Sequence, residues 1–277
     1  MGGLAEGFAR TGVVDVVVWD TGVNERAPTQ PEAAKPEDDS AQMRRMLGFE
    51  PDARQRQVLK SKSTRGVLNC TRQWGKSTIT AAKAVMQAWG EKDSLTLVVS
   101  PSARQSGEFL RKAGGLARRL GVQTKGDGDN EISLAFPDGS RIVGLPGLEA
   151  TVRGFSAVSL LLVDEAARVS DDMYRAIRPM LAVSGGRLWL MSTTHGQRGF
   201  FYETWAHGGP EWERVQVTAR ECPRIEAGFL EEERRVMGEQ WFRQEYLCEF
   251  VDTVGGVFDR ELVEGAFCED VAVLEVG

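Results

Sequence analysis

The sequence predicts an α/β protein with a mainly parallel sheet, helices on both sides of that sheet, and a small helical subdomain at the carboxyl end. From about Phe49 onward, short β-branched runs alternate with helical patterns. The runs LTLVVS (95–100) and LLLV (160–163) are apolar nearly throughout, as in strands covered on both faces. Polar residues of distinctive type follow such runs, at the strand ends where an α/β sheet binds its ligands.

The elements follow from the pattern in chain order. Strands are predicted at 67–70, 95–100, 160–163 and 187–192, helices at 77–89, 106–120 and 173–181, and a hairpin around FPDGS (136–140). After about Arg220 the segments FLEEERRVMG and EQWFRQEYLCEF have helical patterns. We therefore expect a core over 45–219 and a small subdomain over 220–277.

The segment before the core has a different composition. Residues 21–42 are rich in Pro, Glu, Asp and Ala, which predicts a tail or linker because so few apolar side chains cannot offset the entropy of ordering. The preceding GVVDVVVWD predicts a single strand whose partner the sequence does not identify. We expect residues 1–44 to be a partly disordered extension.

Composition excludes several classes of protein. Four cysteines lie far apart without a CxxC pair, which indicates neither a disulfide framework nor a zinc site. No run of about 18 apolar residues is present, so we expect a cytoplasmic protein without a membrane partner. The formal net charge is -6, so any contact with DNA has to come from a local basic face, such as RKAGGLARR (111–119) if that helix is not merely solvated.

A phosphate-binding loop is the first candidate site. In LNCTRQWGKSTITAAKAVMQAW, Gly75, Lys76 and Ser77 follow an apolar strand and open a helix, as this loop requires. Cys70 replaces the usual first glycine, so the chain is expected to turn there without glycine's freedom at positive φ. The alternative is a chance GKS at the start of an ordinary surface helix.

A second motif decides between these interpretations. SLLLVDEAARV ends an apolar strand in Asp164 and Glu165, where an aspartate can hold hydrated Mg²⁺ and a glutamate can polarise the attacking water. The alternative is an N-cap aspartate followed by an acid in the first helical turn. Both motifs in one chain, each at a strand end, predict an ATP-hydrolysing P-loop domain that uses ATP and Mg²⁺.

At this point the sequence resembles a family: the ATPase domain of the large terminase subunit, the motor that packages DNA into procapsids of tailed phages. FEPDARQRQVL resembles its adenine motif, and CTRQWGKST its variant Walker A loop, which often lacks the first glycine. The run GSRIVGLPGLEATVRGFSAVSLLLVDEAARV resembles the run into its Walker B motif, and STTHGQRGFFYETW its coupling motif, although the family commonly has proline at Thr194. ECPRI and WFRQEYLCEF resemble its lid.

The resemblance implies a RecA-like fold of the ASCE type and a role for each matching residue. Lys76 is expected on the phosphates, Ser77 and Asp164 on Mg²⁺, and Glu165 as the catalytic base. Thr193 and Thr194 are expected to sense the γ phosphate, although either residue could be a plain helix cap. The nucleotide contacts implied around the adenine and the loop are Gln55, Thr71, Gln73, Trp74, Gly75 and Thr78.

Two arginines compete for the role of an arginine that triggers hydrolysis. Arg153, in TVRGF, resembles the residue that reaches across a subunit interface, whereas Arg72 could act within its own subunit. For both residues, the alternative is a surface ion pair.

The resemblance also implies partners: double-stranded DNA, further copies of the chain in a ring on the procapsid portal, and the small terminase subunit. Large terminases carry a C-terminal nuclease with acidic metal ligands, and we expect this nuclease domain to be absent from the chain. The acids Glu269 and Asp270 are expected to be solvated, so we expect no DNA cleavage by this chain. Two other functions remain open at this stage: a RecA-like translocase or helicase fragment, and a prophage remnant that only binds nucleotide.

Overall fold

The computed structural model describes residues 39–146 and 154–251. Four sequence predictions fall outside these ranges: the strand in GVVDVVVWD, most of the tail over 21–42, the role of Arg153, and the solvated acids Glu269 and Asp270. In the two described ranges, no helix combines the length and apolar character needed to cross a membrane.

Within the described ranges, seven strands form one sheet in the order β3-β4-β2-β5-β6-β1-β7, and every neighbouring pair is parallel except β3 and β4. The strands are β1 (Arg65–Cys70), β2 (Leu95–Ser100), β3 (Ser133–Ala135), β4 (Arg141–Pro146), β5 (Leu160–Asp164), β6 (Arg187–Ser192) and β7 (Glu213–Val217). The carboxyl ends of β1, β5 and β6 therefore share one edge of the sheet.

Eight α-helices accompany the strands in the described part of the chain. They are α1 (Asp39–Leu47), α2 (Ala53–Lys60), α3 (Lys76–Gly90), α4 (Ala103–Arg119), α5 (Asp171–Ile177), α6 (Gly199–His207), α7 (Ala227–Met237) and α8 (Glu239–Leu247). Short 3-10 turns follow β5, α5 and β7.

Alternating strand residues build two cores, one on each face of the sheet. In β5, Leu160 and Leu162 join the cluster that holds helices α1 to α4, whereas Leu161 and Val163 join the cluster that holds α5 and α6. Since successive side chains of a strand point to opposite faces, this division places helices on both faces, as the apolar runs predict.

Gly66 in β1 lies in close contact with Trp189 of the neighbouring strand β6. A Cβ atom at this position would lie 2.4 Å from the indole ring of Trp189 in β6, so only glycine fits here. Trp189 is completely buried, and its indole N–H donates to the carbonyl of Ser63. The indole ring thus lies over Gly66 on the face that packs against α3, where the Nζ of Lys83 is 4.5 Å from the centroid of the ring.

The predicted elements and the observed ones differ in a few places. α1 begins at Asp39, inside the segment predicted to be a tail, and its Met43, Met46 and Leu47 are buried. The helix predicted over 173–181 ends at Ile177 and continues as a 3-10 turn that contains Pro179. The sequence analysis predicted neither α6 nor β7.

Candidate nucleotide site

The phosphate-binding loop runs from Thr71 to Gly75, between β1 and α3. Cys70 is the last residue of β1 and pairs with Val217 of β7 in the parallel register. The left-handed backbone falls at Gln73 (φ 64°) and at Gly75 (φ 101°). The expectation that the chain must turn at Cys70 is therefore wrong. The turn comes at Gln73, and a cysteine is accommodated in the strand that precedes it.

α3 begins in a way that suits an anion. Its N-cap is Gly75, and no side chain caps the first turn. Thr78 N and Ile79 N both donate to the carbonyl of Gly75. The first amides of a helix carry partial positive charge and bind phosphate oxygens when no side chain caps them.

Three polar side chains meet at this helix end. Lys76 is 7% exposed, and its Nζ donates to the carbonyls of Cys70 at 2.8 Å and Thr71 at 3.1 Å. The Ser77 hydroxyl donates to the carboxylate of Asp164, at 3.2 Å from Oδ2 and 3.4 Å from Oδ1. The structure thus brings together the predicted lysine, hydroxyl and aspartate, although they come from two separate motifs.

The environment of Asp164 fits a cation. Burial raises the pKa of Asp164 to about 6, and the charge of Glu165 acts in the same direction. Lys76 and Ser77 lower this pKa without offsetting the burial. A hydroxyl and a carboxylate are ligands that Mg²⁺ accepts, and a cation here would stabilise the ionised Asp164, so the residues present fit a magnesium ion.

Glu165 has a strained backbone. Its φ of 49° and ψ of 45° lie in the left-handed region, which is unfavourable for a glutamate. Its amide donates to Oδ1 of Asp164 at 3.2 Å. Strain of this kind is concentrated at functional sites, which agrees with the predicted role of Glu165 as the base.

Thr193 and Thr194 follow β6, which lies between β1 and β5 in the sheet. Both side chains are buried. The Thr194 hydroxyl is 2.9 Å from the carbonyl of Gln244 and 3.0 Å from that of Glu249. The structure therefore places the two threonines at the predicted edge, and Thr194 faces the carboxyl end of α8.

Core side chains hold the carboxyl end of α8, a feature that the sequence analysis missed. Asn69 donates to the carbonyl of Cys248 at 2.8 Å, and the Thr71 hydroxyl donates to the carbonyl of Glu245 at 3.2 Å. The last carbonyls of a helix lack partners within the helix and need others. The only signal in the sequence is a polar residue, Asn69, inside an apolar strand.

Of the two arginine candidates, the structure describes only Arg72. Arg72 Nε donates to Oε2 of Glu245 at 2.7 Å, and Arg168 Nη2 lies 3.3 Å from Oε1 of the same carboxylate. The Glu245 side chain is 7% exposed, whereas that of Arg72 is 58% exposed, so the carboxylate is buried and the Arg72 side chain remains accessible to water. Glu245 and Arg168 were not predicted. Arg153 lies outside the described residues.

The flank of the loop that faces α2 holds Gln55, the predicted adenine contact. Gln55 is 1% exposed, and its Nε2 donates to the carbonyl of Trp74 at 3.0 Å. The Trp74 side chain is itself buried, and its indole N–H donates to Asp52. Arg224 Nη2 also donates to the Trp74 carbonyl, at 2.7 Å. Arg224 was not predicted, because ECPRI was assigned only as a lid segment.

Known proteins that resemble this chain in sequence and fold include large terminases of phages. The large terminase subunit of Escherichia phage T5 is 29% identical over 176 residues, which cover 61% of this chain and 40% of that protein. The ATPase domain of the Thermus phage P74-26 large terminase superposes with a TM-score of 0.66 at 23% identity, covering 78% of this chain and 99% of that one. The large terminase of bacteriophage D6E, solved with ATP-γ-S, gives a TM-score of 0.59 at 15% identity, covering 72% of this chain and 52% of that one.

These likenesses settle the fold as that of the RecA-like terminase ATPase domains. The chain spans less than half the length of the T5 relative and about half of the D6E chain. A sequence profile described as "Terminase large subunit, T4likevirus-type, N-terminal" matches residues 67–264, which is more than half of this chain. The chain therefore belongs to that family of terminase large subunits.

Proposed function

We propose that this chain hydrolyses ATP with Mg²⁺ to drive double-stranded viral DNA into a procapsid. The observation that carries the proposal is the contact of Ser77 with the buried Asp164 at the uncapped start of α3. Two relatives support it, since one is described as an ATPase domain and the other was solved with an ATP analogue.

Each residue at the site has a role in phosphoryl transfer to water. Lys76 neutralises charge on the phosphates, and Ser77 and Asp164 hold the magnesium ion. The ion, when bound, neutralises the charge that develops on the phosphate oxygens. Glu165 orients the attacking water and accepts its proton. Thr193 and Thr194 respond to the γ phosphate, and Thr194 passes that response to α8 through its bonds to the carbonyls there.

An arginine from a neighbouring subunit completes the site. We place Arg153 in this role ahead of Arg72, because the Arg72 guanidinium is already paired with Glu245. Hydrolysis then requires a ring in which each subunit supplies its neighbour, so that ATP turnover depends on assembly. The ring at the procapsid portal, the small terminase subunit and a lid over 220–277 belong to the same proposal.

The test is steady-state ATP hydrolysis as a function of protein concentration, with and without double-stranded DNA, for the wild type and Glu165→Gln. We expect Glu165→Gln to lower kcat on the order of 10²- to 10³-fold and to retain ADP binding, because only the base is lost. Glu108→Gln is the control, since Glu108 is a partly exposed acid that pairs with Arg111 on α4.

Equal rates for the wild type and Glu165→Gln would contradict the catalytic assignment and favour a protein that only binds nucleotide. Stimulation by single strands rather than duplex DNA would favour the helicase alternative. The absence of DNA cleavage stays a prediction, and incubation with supercoiled plasmid and Mg²⁺ checks it.

A further inference from the structure

The positions of the catalytic acids show which way a bound nucleotide extends. Asp164 ends β5, which is separated from β1 by β6, whereas β7 flanks β1 on the opposite side. The acids mark the γ-phosphate end of the loop. With the acids at that end, as the proposed function has them, the ribose and base extend toward β7 and α2, away from β5.

The chain after β7 passes along this base side. The carbonyl of Val217, the last residue of β7, accepts a hydrogen bond from Thr71 N at 2.8 Å. Thr218 then opens a 3-10 turn in a capping box with Glu221, and Cys222 is buried behind it. These contacts hold the following residue pair, Pro223 and Arg224, beside the phosphate loop.

Arg224 binds the loop directly. Its Nη2 lies 2.7 Å from the carbonyl of Trp74 and 3.4 Å from that of Gln73. Gln55 Nε2 donates to the same Trp74 carbonyl at 3.0 Å, so Arg224 and Gln55 share one acceptor. Arg224 and Gln55 are therefore neighbours at the end of the loop where the base is expected.

The two residues differ in what they can offer a ligand. Gln55 is 1% exposed, and its Oε1 already accepts from the amide of Asp52 at 3.0 Å. Arg224 is exposed, and its contacts with the loop use a single nitrogen of the guanidinium. A guanidinium is planar, weakly hydrated and able to stack on aromatic rings, which a lysine ammonium cannot do.

We infer that Arg224 is a nucleotide-positioning residue that stacks its guanidinium on the adenine ring, while its bond to Trp74 anchors it. This inference rests on the proposed function, because it concerns the same nucleotide. Gln55, whose side chain is almost completely buried, supports the loop through its own bond to the Trp74 carbonyl. Arg224 thus selects for a nucleotide over a bare polyphosphate.

The test compares two ligands that differ in the base. ADP and inorganic tripolyphosphate are titrated calorimetrically, with Mg²⁺, into the wild type, Arg224→Ala and Arg224→Lys. We expect Arg224→Ala to bind ADP about 3- to 30-fold more weakly, the range for a lost cation–π stack. We expect Arg224→Lys to lose part of that affinity, because an ammonium does not stack flat on the ring, and both variants to bind tripolyphosphate as the wild type does. Arg224→Lys separates stacking from loop support, because lysine still donates to Trp74.

Arg65→Ala is the matched control. Arg65 also donates to two carbonyls, those of Thr64 and Gly186, but at the start of β1, away from the loop. We expect this variant to bind ADP as the wild type does. Thermal unfolding of each variant shows that the comparison is between folded proteins.

The outcomes separate this inference from the proposed function. If Arg224→Ala weakens ADP and tripolyphosphate equally and Arg224→Lys restores both, Arg224 only supports the loop and the inference is wrong. If the wild type hydrolyses ATP and Arg224→Ala binds ADP with the wild-type affinity, the inference fails and the proposed function stands. A wild type that neither binds ADP nor hydrolyses ATP overturns the proposed function itself.

Discussion

Asp164 is a carboxylate at the end of a buried apolar strand, where charge is unfavourable. Burial and the neighbouring Glu165 raise its pKa from 3.8 to about 6. Between these two values the folded chain keeps a proton that the unfolded chain has released, so stability falls as the pH rises through this window. At neutral pH the ionised Asp164 therefore destabilises the fold, which is the cost of keeping the proposed ligand for Mg²⁺ in place.

We expect Asp164→Asn to abolish ATP hydrolysis and to stabilise the chain at pH 7.5 in the absence of Mg²⁺, on the order of 2 kcal/mol. Asparagine keeps the shape but carries no charge, so the gain shrinks as the pH falls toward 5. Urea unfolding at both pH values measures it. Asp172→Asn is the control, because that carboxylate is 72% exposed and pairs with Arg175 on the surface. A variant less stable than the wild type at pH 7.5 would contradict the prediction.

The site residues that the sequence predicts are marked by local pattern, whereas those it missed contact partners that are distant along the chain. Lys76, Ser77, Asp164 and Glu165 stand at the ends of apolar runs, so local pattern alone places them at one edge of a parallel sheet. Arg224 has no local signature, since its partner Trp74 lies 150 residues away in the chain. Glu245 similarly contacts Arg72 from 173 residues away. Contacts of that range depend on the complete fold.

The same distinction holds for helices and strands. β2, β5 and β6 were predicted because both of their faces are covered and their residues are apolar. β7 is an edge strand with the sequence ERVQV. Its polar residues are exposed or half-buried, so it lacks the apolar run that predicted the central strands. α6 has apolar residues around much of its circumference, so it lacks the one-sided stripe that predicts a helix.

Side chains at the end of the sheet hold the carboxyl end of α8, and Thr194 is part of that attachment. We expect Thr194→Val to leave the carbonyls of Gln244 and Glu249 without their donor, costing about 1–3 kcal/mol locally. Hydrogen exchange of the α8 amides is then expected to speed up about 10- to 100-fold. Thr194→Ser keeps the hydroxyl and is expected to retain the protection. Unchanged exchange in Thr194→Val would show that α8 does not depend on this attachment.

At the scale of the whole molecule, the proposal makes each site depend on a second copy of the chain. We expect Arg153→Ala and Glu165→Gln to be inactive separately and to regain part of the activity when mixed. In a mixed ring, a Glu165→Gln subunit supplies Arg153 to a neighbour that has an intact Glu165. ATP hydrolysis by the mixture, compared with each variant at the same total concentration, measures this.

If the mixture has no more activity than its components, the arginine that triggers hydrolysis acts within its own subunit, the role considered for Arg72. Mixing Lys76→Ala with Glu165→Gln serves as the control. Both of these variants lack a residue of their own site, so no arrangement of the two in a ring completes one.

Cys70 lies directly before the predicted phosphate loop, completely buried in the last pair of the register between β1 and β7. Burial raises the pKa of its thiol far above the usual range. Alkylating agents and peroxides attack the accessible thiolate of a cysteine, and this sulfur is neither accessible nor ionised. The strand position that makes glycine unnecessary at Cys70 thus also protects this thiol from oxidation. A covalent inhibitor aimed at this cysteine would reach it only after the sheet has opened.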